Sequence, residues 1–393
     1  MKEKENNLMC SVCCLKGDKS LKELKIGKTR LDRIELFNGE ILQIYDIVEL
    51  KRKCVIIDNS TPRYYQTETG QIFSSLTIKE DNKIDMLRAG SNGMGKNYLT
   101  LNTTVKDGIY GNLIGNTVYE YKEQIKEIAE YLKNKYGIVI TFNDAKLKYI
   151  EINRTFKLKD EFKSYSRVLE LILTIMPRMK KVNMIGIIEN KKIKLETYGV
   201  ISTRNGKRNK QYEEIIFYDK KSQLKSNINI ELIGEYMRCE IKLKNAKLIE
   251  QKLKTNKLYK LTQDIIDEWF KKEVKKLIHE PLLRWKVERD TILKNIIKQE
   301  LKKDKRKWQV NTLRRLSVME IENKVPVILD VEELNCVIDD MPQITRKKRV
   351  KENFIKQAQK YEKVFVNNDM DKLNELLSKL TQDNITDDIV VAD

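Results

Sequence analysis

The chain has 393 residues and a net charge of +19, and 40% of its residues are hydrophobic, which suffices for a folded core in two or three domains. A basic excess of this size indicates a polyanionic partner, usually nucleic acid, although an AT-rich genome that favours Lys codons would produce the same excess. The single histidine, His279, excludes two-histidine metal sites. Metal chemistry would therefore rely on carboxylates, which favour Mg²⁺ or Mn²⁺ over Zn²⁺.

No apolar run reaches the roughly 20 residues that span a bilayer, and no signal-peptide core follows the charged first residues. We therefore expect a cytoplasmic protein without a membrane partner, and the six cysteines fit that compartment. Cys10 and Cys13 form one CxxC, with Cys14 adjacent. Because there is no second CxxC and no nearby His, a zinc site would be incomplete, and free thiols are expected.

The first half of the chain mixes strand and helix patterns. Residues 1–28 are polar and Lys-rich and predict an irregular segment. Alternating strands are predicted afterwards, among them 30–37, 98–104 and 148–156. One amphipathic helix is predicted over 118–136, where Gly137 ends it, and another over 160–176, with Asp160 as its N-cap. This order predicts an α+β domain over residues 29–250, with an antiparallel sheet and helices on one face.

After residue 250 the pattern is helical, which predicts an all-α C-terminal domain over residues 251–380. Its later helices are predicted at 331–338, 346–366 and 370–380. Basic runs at 302–307 and 346–349 are typical of solvated helix faces and could also contact phosphates. The acidic residues 381–393 predict a disordered tail.

Two strands after residue 210 carry side chains that fit phosphodiester chemistry. In residues 215–221, Tyr218 and Lys220 share a face with Ile216, because side chains alternate across a sheet. In residues 236–244, one face carries Tyr236, Arg238, Glu240 and Lys242. The opposite face is apolar and predicts a core on that side of the sheet.

A tyrosine phenol, with a pKa near 10, becomes a useful nucleophile when cations stabilise its phenolate. Lys220 would supply that charge to Tyr218 and contact the phosphate, and a metal held by Glu240 and Glu151 would align the phosphate for in-line attack. The residues expected to contact DNA are Arg204, Lys207, Arg208, Lys210, Lys221, Arg238 and Lys242. The alternative is that Tyr218 is a packing residue and that Glu240 is a solvated residue paired with a neighbouring cation.

Five segments follow one another along the chain: a strand and turn at 98–115, a strand at 151–156, a basic loop at 203–210, a strand at 217–220 and a strand at 238–244. Their order resembles that of the gene II replication initiators of filamentous phages, the phage X family, which is also found in some plasmids. The resemblance covers about residues 31–248. It rests on the order and spacing of these segments.

The resemblance implies a site-specific endonuclease and ligase that nicks one strand at a replication origin and starts rolling-circle replication. Tyr218 would form a covalent 5′-phosphotyrosine intermediate, with Lys220 as its cationic neighbour and Glu240 as a metal ligand. The family's Arg and Asp on the middle strand fall at Glu151 and Asn153, so either Glu151 serves as a ligand beside Asn153 or the metal site differs. The family's acidic residue on an earlier strand falls near Thr100.

The expected partner is single-stranded or supercoiled origin DNA in a bacterial host cell. The helical domain would recognise the origin, recruit a host helicase or form a homodimer. Two other functions fit the same residues: a non-catalytic DNA-binding initiator or regulator, and an RNA-binding protein, which the lack of a clustered aromatic stacking motif disfavours. Tyr212 or Tyr236 could act as a second nucleophile at termination.

Overall fold

The structure is a computed structural model that describes residues 25–53, 55–56, 65–73, 75–79, 81, 83–91, 96–104, 113–176, 180–182, 197–203, 211–228, 233–323, 331–358, 360, 369–381 and 387–388. The strands are β1 (Lys25–Ile26), β2 (Thr29–Phe37), β3 (Glu40–Ile44), β4 (Val55–Ile56), β5 (Tyr65–Gln66), β6 (Ile72–Phe73), β7 (Ser75–Lys79), β8 (Met86–Ser91), β9 (Asn97–Thr104), β10 (Ile138–Thr141), β11 (Lys146–Leu158), β12 (Lys180–Val182), β13 (Thr197–Thr203), β14 (Gln211–Asp219), β15 (Glu235–Leu243) and β16 (Asp387–Asp388).

The α-helices are α1 (Ile47–Lys53), α2 (Val118–Tyr136), α3 (Ser166–Ile175), α4 (Lys220–Ile228), α5 (Ala246–Leu253), α6 (Gln263–Val274), α7 (Glu280–Lys303), α8 (Trp308–Asn323), α9 (Val331–Asp339), α10 (Lys347–Ala358) and α11 (Asp369–Thr381). A π turn, Lys275–His279, joins α6 to α7. None of the described helices combines the length and apolar character required to cross a bilayer.

A ten-stranded sheet organises the first half of the chain, in the order β12-β13-β14-β15-β11-β2-β9-β8-β7-β4. Its described strand pairs are antiparallel. The long central strand β11 pairs with β15 on one side and with β2 on the other. With the all-helical region that follows, this confirms the predicted α+β fold class with an antiparallel sheet.

The apolar face of the sheet forms the main core. On β11 and β15 the alternate residues Ile152, Phe156, Cys239 and Ile241 are almost completely buried, as the period-2 pattern predicts. Helices α2, α3, α5 and α6 contribute apolar residues to the same core. Most polar residues of these strands lie on the opposite face, and Arg154 is an exception on the apolar face.

Helix α2 begins and ends where the sequence predicts. The Thr117 side chain accepts a hydrogen bond from the Glu120 backbone N–H, and Glu120 reaches back to the Thr117 N–H, which forms a capping box. Gly137 ends the helix with a left-handed φ of 67°. Tyr121, on the buried face, donates to the Thr103 carbonyl at 2.8 Å and anchors the helix to β9.

Three predictions about local structure were wrong. A 3₁₀ turn (Phe162–Tyr165) precedes α3, so Asp160 is not a helix N-cap. Instead, the Glu375 carboxylate accepts hydrogen bonds from the Lys159 N–H and the Tyr165 hydroxyl and holds this segment. Lys220 begins α4 and does not continue the strand. In the acidic tail, which was expected to be disordered, Asp387–Asp388 pairs with β1.

Helix α11 packs on the sheet domain although it lies at the far end of the chain. Met370, Leu373, Leu376 and Leu380 join the main core. At its C-terminal end the buried Arg154 of β11 donates to the Leu380 carbonyl at 3.0 Å. The end of α7 and helices α8 to α10 form a second apolar cluster around residues such as Leu293, Leu313 and Phe354. The domain boundary near residue 250 stays a prediction, because the main core takes helices from both sides of it.

Replacing Leu376 by Ala is expected to lower the free energy of unfolding by about 2–5 kcal/mol, because it leaves a cavity in a fully buried site. Chemical denaturation measures the change. Leu283→Ala is the matched control, since this leucine is 52% exposed and its loss should change stability by less than about 0.5 kcal/mol. Equal stability of the two variants would show that α11 is not part of the sheet core.

Candidate active site

The polar face of the sheet brings together side chains from four central strands. In the antiparallel register, Tyr218 of β14 lies opposite Arg238 of β15, and Glu240 of β15 lies opposite Asn153 of β11. Glu151 precedes Asn153 by two residues and therefore shares its face. The structure thus brings together the predicted tyrosine, Glu240, Glu151 and Asn153.

The fourth strand, β2, contributes Asp32 through a β-bulge. Ile150 pairs with Ile34 and Ile152 pairs with Leu31, so Asp32 and Arg33 together stand opposite the single residue Glu151. The extra residue reverses the alternation of the strand. As a result Leu31 and Ile34 both lie in the core, and Asp32 faces the polar side.

Asp32, Glu151 and Glu240 form a cluster of carboxylates, each with an oxygen within 4.8 Å of the others. Burial and then the charge of Glu240 raise the pKa of Glu151 well above its usual range. Burial alone would also raise the pKa of Glu240, but Lys242, the hydrogen bond with Glu151 and Arg238 lower it. Such a group of converging oxygen atoms is the donor set that Mg²⁺ and Mn²⁺ prefer.

Two cations border the carboxylates. Arg238 is completely buried and donates to Asp32 at 3.0 Å, to the Leu113 carbonyl at 2.7 Å and to the Thr155 hydroxyl at 3.0 Å. The Lys242 Nζ lies 3.5 Å from Glu151 and 3.7 Å from Glu240. Arg238 therefore links Asp32 to neighbouring parts of the fold through buried hydrogen bonds. Lys242, whose side chain is 20% exposed, is the more accessible cation.

Tyr218 lies beside this cluster and is only 5% exposed. Arg238 lies opposite it in the β14–β15 register. Burial raises the pKa of Tyr218 well above its usual value, and Arg238 opposes this effect. The phenol is therefore almost inaccessible to a phosphate in this conformation.

Lys220 is buried at the first position of α4 and lies on the same side as Tyr218. Its Nζ is 5.8 Å from the centre of the Tyr218 ring and donates to the Gln223 side chain at 2.6 Å. Burial, and secondarily Arg238, lower the pKa of Lys220 to about 7, while Asp32 and Glu240 oppose them. The sequence prediction that Lys220 adjoins Tyr218 therefore agrees with the geometry, although the element that positions it is a helix.

Asn153 is buried, and neither polar atom of its side chain has a hydrogen-bond partner among the described residues. Gly115 lies over it with a left-handed φ of 85°, where an added Cβ would come within 3.0 Å of the Asn153 amide nitrogen and 2.6 Å of the Leu31 carbonyl. A buried amide without partners costs free energy unless a ligand satisfies it. The amide oxygen is thus available to a metal or to DNA.

Tyr149 is a second phenol at the cluster, and the sequence analysis missed its role. Its hydroxyl donates to Glu151. The Arg33 guanidinium lies 5.6 Å from the centre of its ring and also donates to Asn102 at 2.9 Å. The period-2 pattern placed Tyr149 on the face of Glu151, which was the available signal. Asp32 gave no such signal, because strict alternation assigns it to the core face with Ile34.

The remaining predicted residues fall in several places. Lys221 is half-buried and lies 2.8 Å from Glu235. Tyr236 is buried, and its hydroxyl donates to the Ile233 carbonyl at 3.2 Å. Several predicted residues lie outside the described residues or side chains: Arg204, Lys207, Arg208, Lys210, the Tyr212 side chain, Cys10, Cys13 and Cys14.

Comparisons with known proteins add little to this geometry. No family model and no curated protein matches the chain. Among solved structures, it is similar to a rolling-circle replication initiator protein from Geobacillus stearothermophilus, with a TM-score of 0.32 and 11% sequence identity over 64% of this chain and 85% of that one. At this level of likeness, function must be inferred from the site itself.

Proposed function

We propose that this protein initiates rolling-circle replication by nicking and rejoining one strand of origin DNA. The observation that carries the proposal is the convergence of three carboxylates, a tyrosine and buried cations on one sheet face. The net charge of +19 is consistent with a DNA partner. The role at an origin comes from the resemblance to the gene II initiators, as do the expected helicase contact and self-association.

Asp32, Glu151 and Glu240 would hold a divalent cation, Mg²⁺ or Mn²⁺, with the Asn153 amide oxygen as a further donor. The partnerless amide of Asn153 and the close approach of like charges in the cluster both fit a bound cation. When bound, the cation would polarise a non-bridging phosphate oxygen and orient the phosphate.

The side chains then have separate tasks. Lys220, whose pKa burial lowers to about 7, accepts the proton of the Tyr218 phenol. The Tyr218 oxygen attacks phosphorus, a new oxygen–phosphorus bond forms, and the bond to the 3′ oxygen breaks. Arg238, which lies opposite Tyr218 in the sheet, stabilises the developing phenolate, and Lys220 returns the proton to the departing 3′ oxygen. The phosphotyrosine conserves the bond energy, so the reverse reaction rejoins the strand without ATP.

The burial of Tyr218 favours a second candidate, a DNA-binding initiator that does not cut. In that protein Tyr218 would be a packing residue that satisfies Arg238, and the carboxylates would only balance the buried cations. This candidate predicts DNA binding that needs neither Tyr218 nor a metal.

Tyr218→Phe is expected to abolish covalent attachment to DNA, because the nucleophilic oxygen is lost. The assay mixes purified protein with labelled single-stranded origin DNA from its own replicon and Mn²⁺, and resolves the products on a denaturing gel. We expect a metal-dependent protein–DNA band with the wild type and none with the variant.

Tyr198→Phe is the matched control, because Tyr198 is also a buried tyrosine on the neighbouring strand β13 but belongs to the apolar core on the opposite face. It should retain the band. A band that persists in Tyr218→Phe would move the nucleophile to another residue, which mass spectrometry of the adduct would identify. If the wild type binds the DNA but forms no band with Mn²⁺ or with Mg²⁺, the non-catalytic candidate is the better one.

A further inference from the structure

Two basic runs, 302–307 and 346–349, border helices that pack against each other in the C-terminal helical region. The first covers the end of α7 and the turn before α8, and the second covers the start of α10. Gln309 of α8 donates to the Val350 carbonyl of α10 at 2.9 Å, and the rings of Trp308 and Phe354 pack 5.6 Å apart. A groove lies beside these contacts, lined by the end of α7 and the turn before α8 on one side and by residues from 343 to 350 on the other.

The groove has a volume of about 700 Å³, an apolar floor and a basic rim. Leu301, Ile344 and Val350 contribute to the floor. The rim carries the exposed lysines Lys298, Lys302 and Lys305. Lysine stems pack along apolar surface while the ammonium groups stay in water, so the floor supports the rim and presents its charges outward.

The rim lysines keep their charge available. None of the carboxylates in the described ranges forms an ion pair with Lys298, Lys302 or Lys305. The adjacent Asp304 is directed to backbone N–H groups, since it accepts from Arg306 at 2.7 Å and from Lys307 at 3.1 Å. The groove is therefore a net positive surface, and none of its described lining residues is acidic.

We propose that this groove binds the phosphate backbone of duplex DNA. This inference rests on the proposed function, and the groove would hold the double-stranded DNA beside the cleaved strand. Phosphates complement unpaired lysines and carry no sequence information. Single-stranded DNA is the poorer fit, because its binding sites use exposed aromatic rings for stacking, whereas Trp308 is only 6% exposed. The groove therefore anchors duplex, and the sheet face acts on the single strand.

The test is a triple variant, Lys298→Gln, Lys302→Gln and Lys305→Gln, titrated with a labelled duplex of arbitrary sequence and with the matching single strand. Each lost phosphate contact lowers the slope of log affinity against log salt by about 0.9, so the duplex slope should fall by about 3 and the duplex affinity by at least about tenfold at 0.1 M salt. The control triple, Lys51→Gln, Lys79→Gln and Lys133→Gln, removes the same charge from exposed lysines elsewhere and should change the slope by less than about 1.

Equal losses in the two triple variants would overturn the inference, because they would reflect net charge alone. A larger loss for the single strand than for the duplex would overturn it as well. The covalent-band assay, run on the same protein preparations with single-stranded origin DNA, separates duplex binding by the groove from the proposed cleavage chemistry. If the wild type forms no band but the rim variant still loses duplex affinity, the nicking proposal fails and the groove inference stands.

Discussion

Asp32→Asn is expected to weaken Mn²⁺ binding by at least about 100-fold, because it removes one of the three carboxylates proposed to hold the cation and not merely a supporting hydrogen bond. Nicking should fall by about 10³-fold, which corresponds to roughly 4 kcal/mol of lost transition-state stabilisation. The Asn side chain keeps an oxygen that can accept the Arg238 hydrogen bond, so the fold around the site should persist. Electron paramagnetic resonance of free Mn²⁺ measures the binding without DNA or turnover.

Glu35→Gln is the matched control for this experiment. Glu35 is another carboxylate of β2, it also contacts a cation, Lys148, at 2.7 Å, and it does not belong to the carboxylate cluster. Its loss should change Mn²⁺ affinity less than about threefold. Wild-type Mn²⁺ affinity in Asp32→Asn, with a native circular dichroism spectrum, would contradict the assignment of Asp32 to the metal site.

Asp32 also shows where sequence patterns no longer predict the face on which a side chain lies. Period-2 alternation correctly grouped Glu151 with Asn153 and Arg238 with Glu240, because β11 and β15 pair without a bulge. On β2 the same rule places Asp32 with Ile34, in the core. The bulge reverses that assignment, and it depends on how β2 fits against β11, which is a tertiary property that local sequence does not specify.

Local signals predicted the elements better than their long-range partners. The helical spacing that begins at Val118 and the Gly137 signal placed both ends of α2, since both signals act within one or two helical turns. Asp160 failed as a cap because Glu375, more than 200 residues away, holds that segment. In the same way, the sequence predicted α11 but not its place in the main core, and it predicted the basic run 302–307 but not the groove that Lys302 and Lys305 line.

Lys220 is expected to destabilise the folded protein, and replacing it by Met should show this. Its pKa is lowered from 10.5 to about 7, mainly by burial, in a site where Tyr218, Arg238, Asp32, Glu240 and Glu151 all face it. Below pH 7 the lysine is charged in both the folded and the unfolded chain, so the full cost of burying the charge is present. Between pH 7 and 10.5 the folded protein loses this proton first, so the cost decreases as pH rises.

The free energy of unfolding of Lys220→Met should therefore exceed that of the wild type by about 2–5 kcal/mol at pH 6, and the difference should shrink to about 2 kcal/mol or less at pH 9. Denaturant unfolding of the metal-free proteins at the two pH values measures both differences. Lys221→Met, at the next position, is the control: Lys221 is half-buried beside Glu235, and its replacement should change stability by less than about 1 kcal/mol at either pH.

If the free energies of unfolding of Lys220→Met and the wild type are equal, or if their difference grows with pH, burial of the Lys220 charge does not destabilise the fold. A confirmed penalty would bear on function, because a buried lysine that destabilises the fold is retained most simply for chemistry. Met fills similar space without the charge. The same variant should then be more stable and yet unable to assist the departing 3′ oxygen, so gain of stability and loss of the covalent band in one protein would separate a catalytic lysine from a structural one.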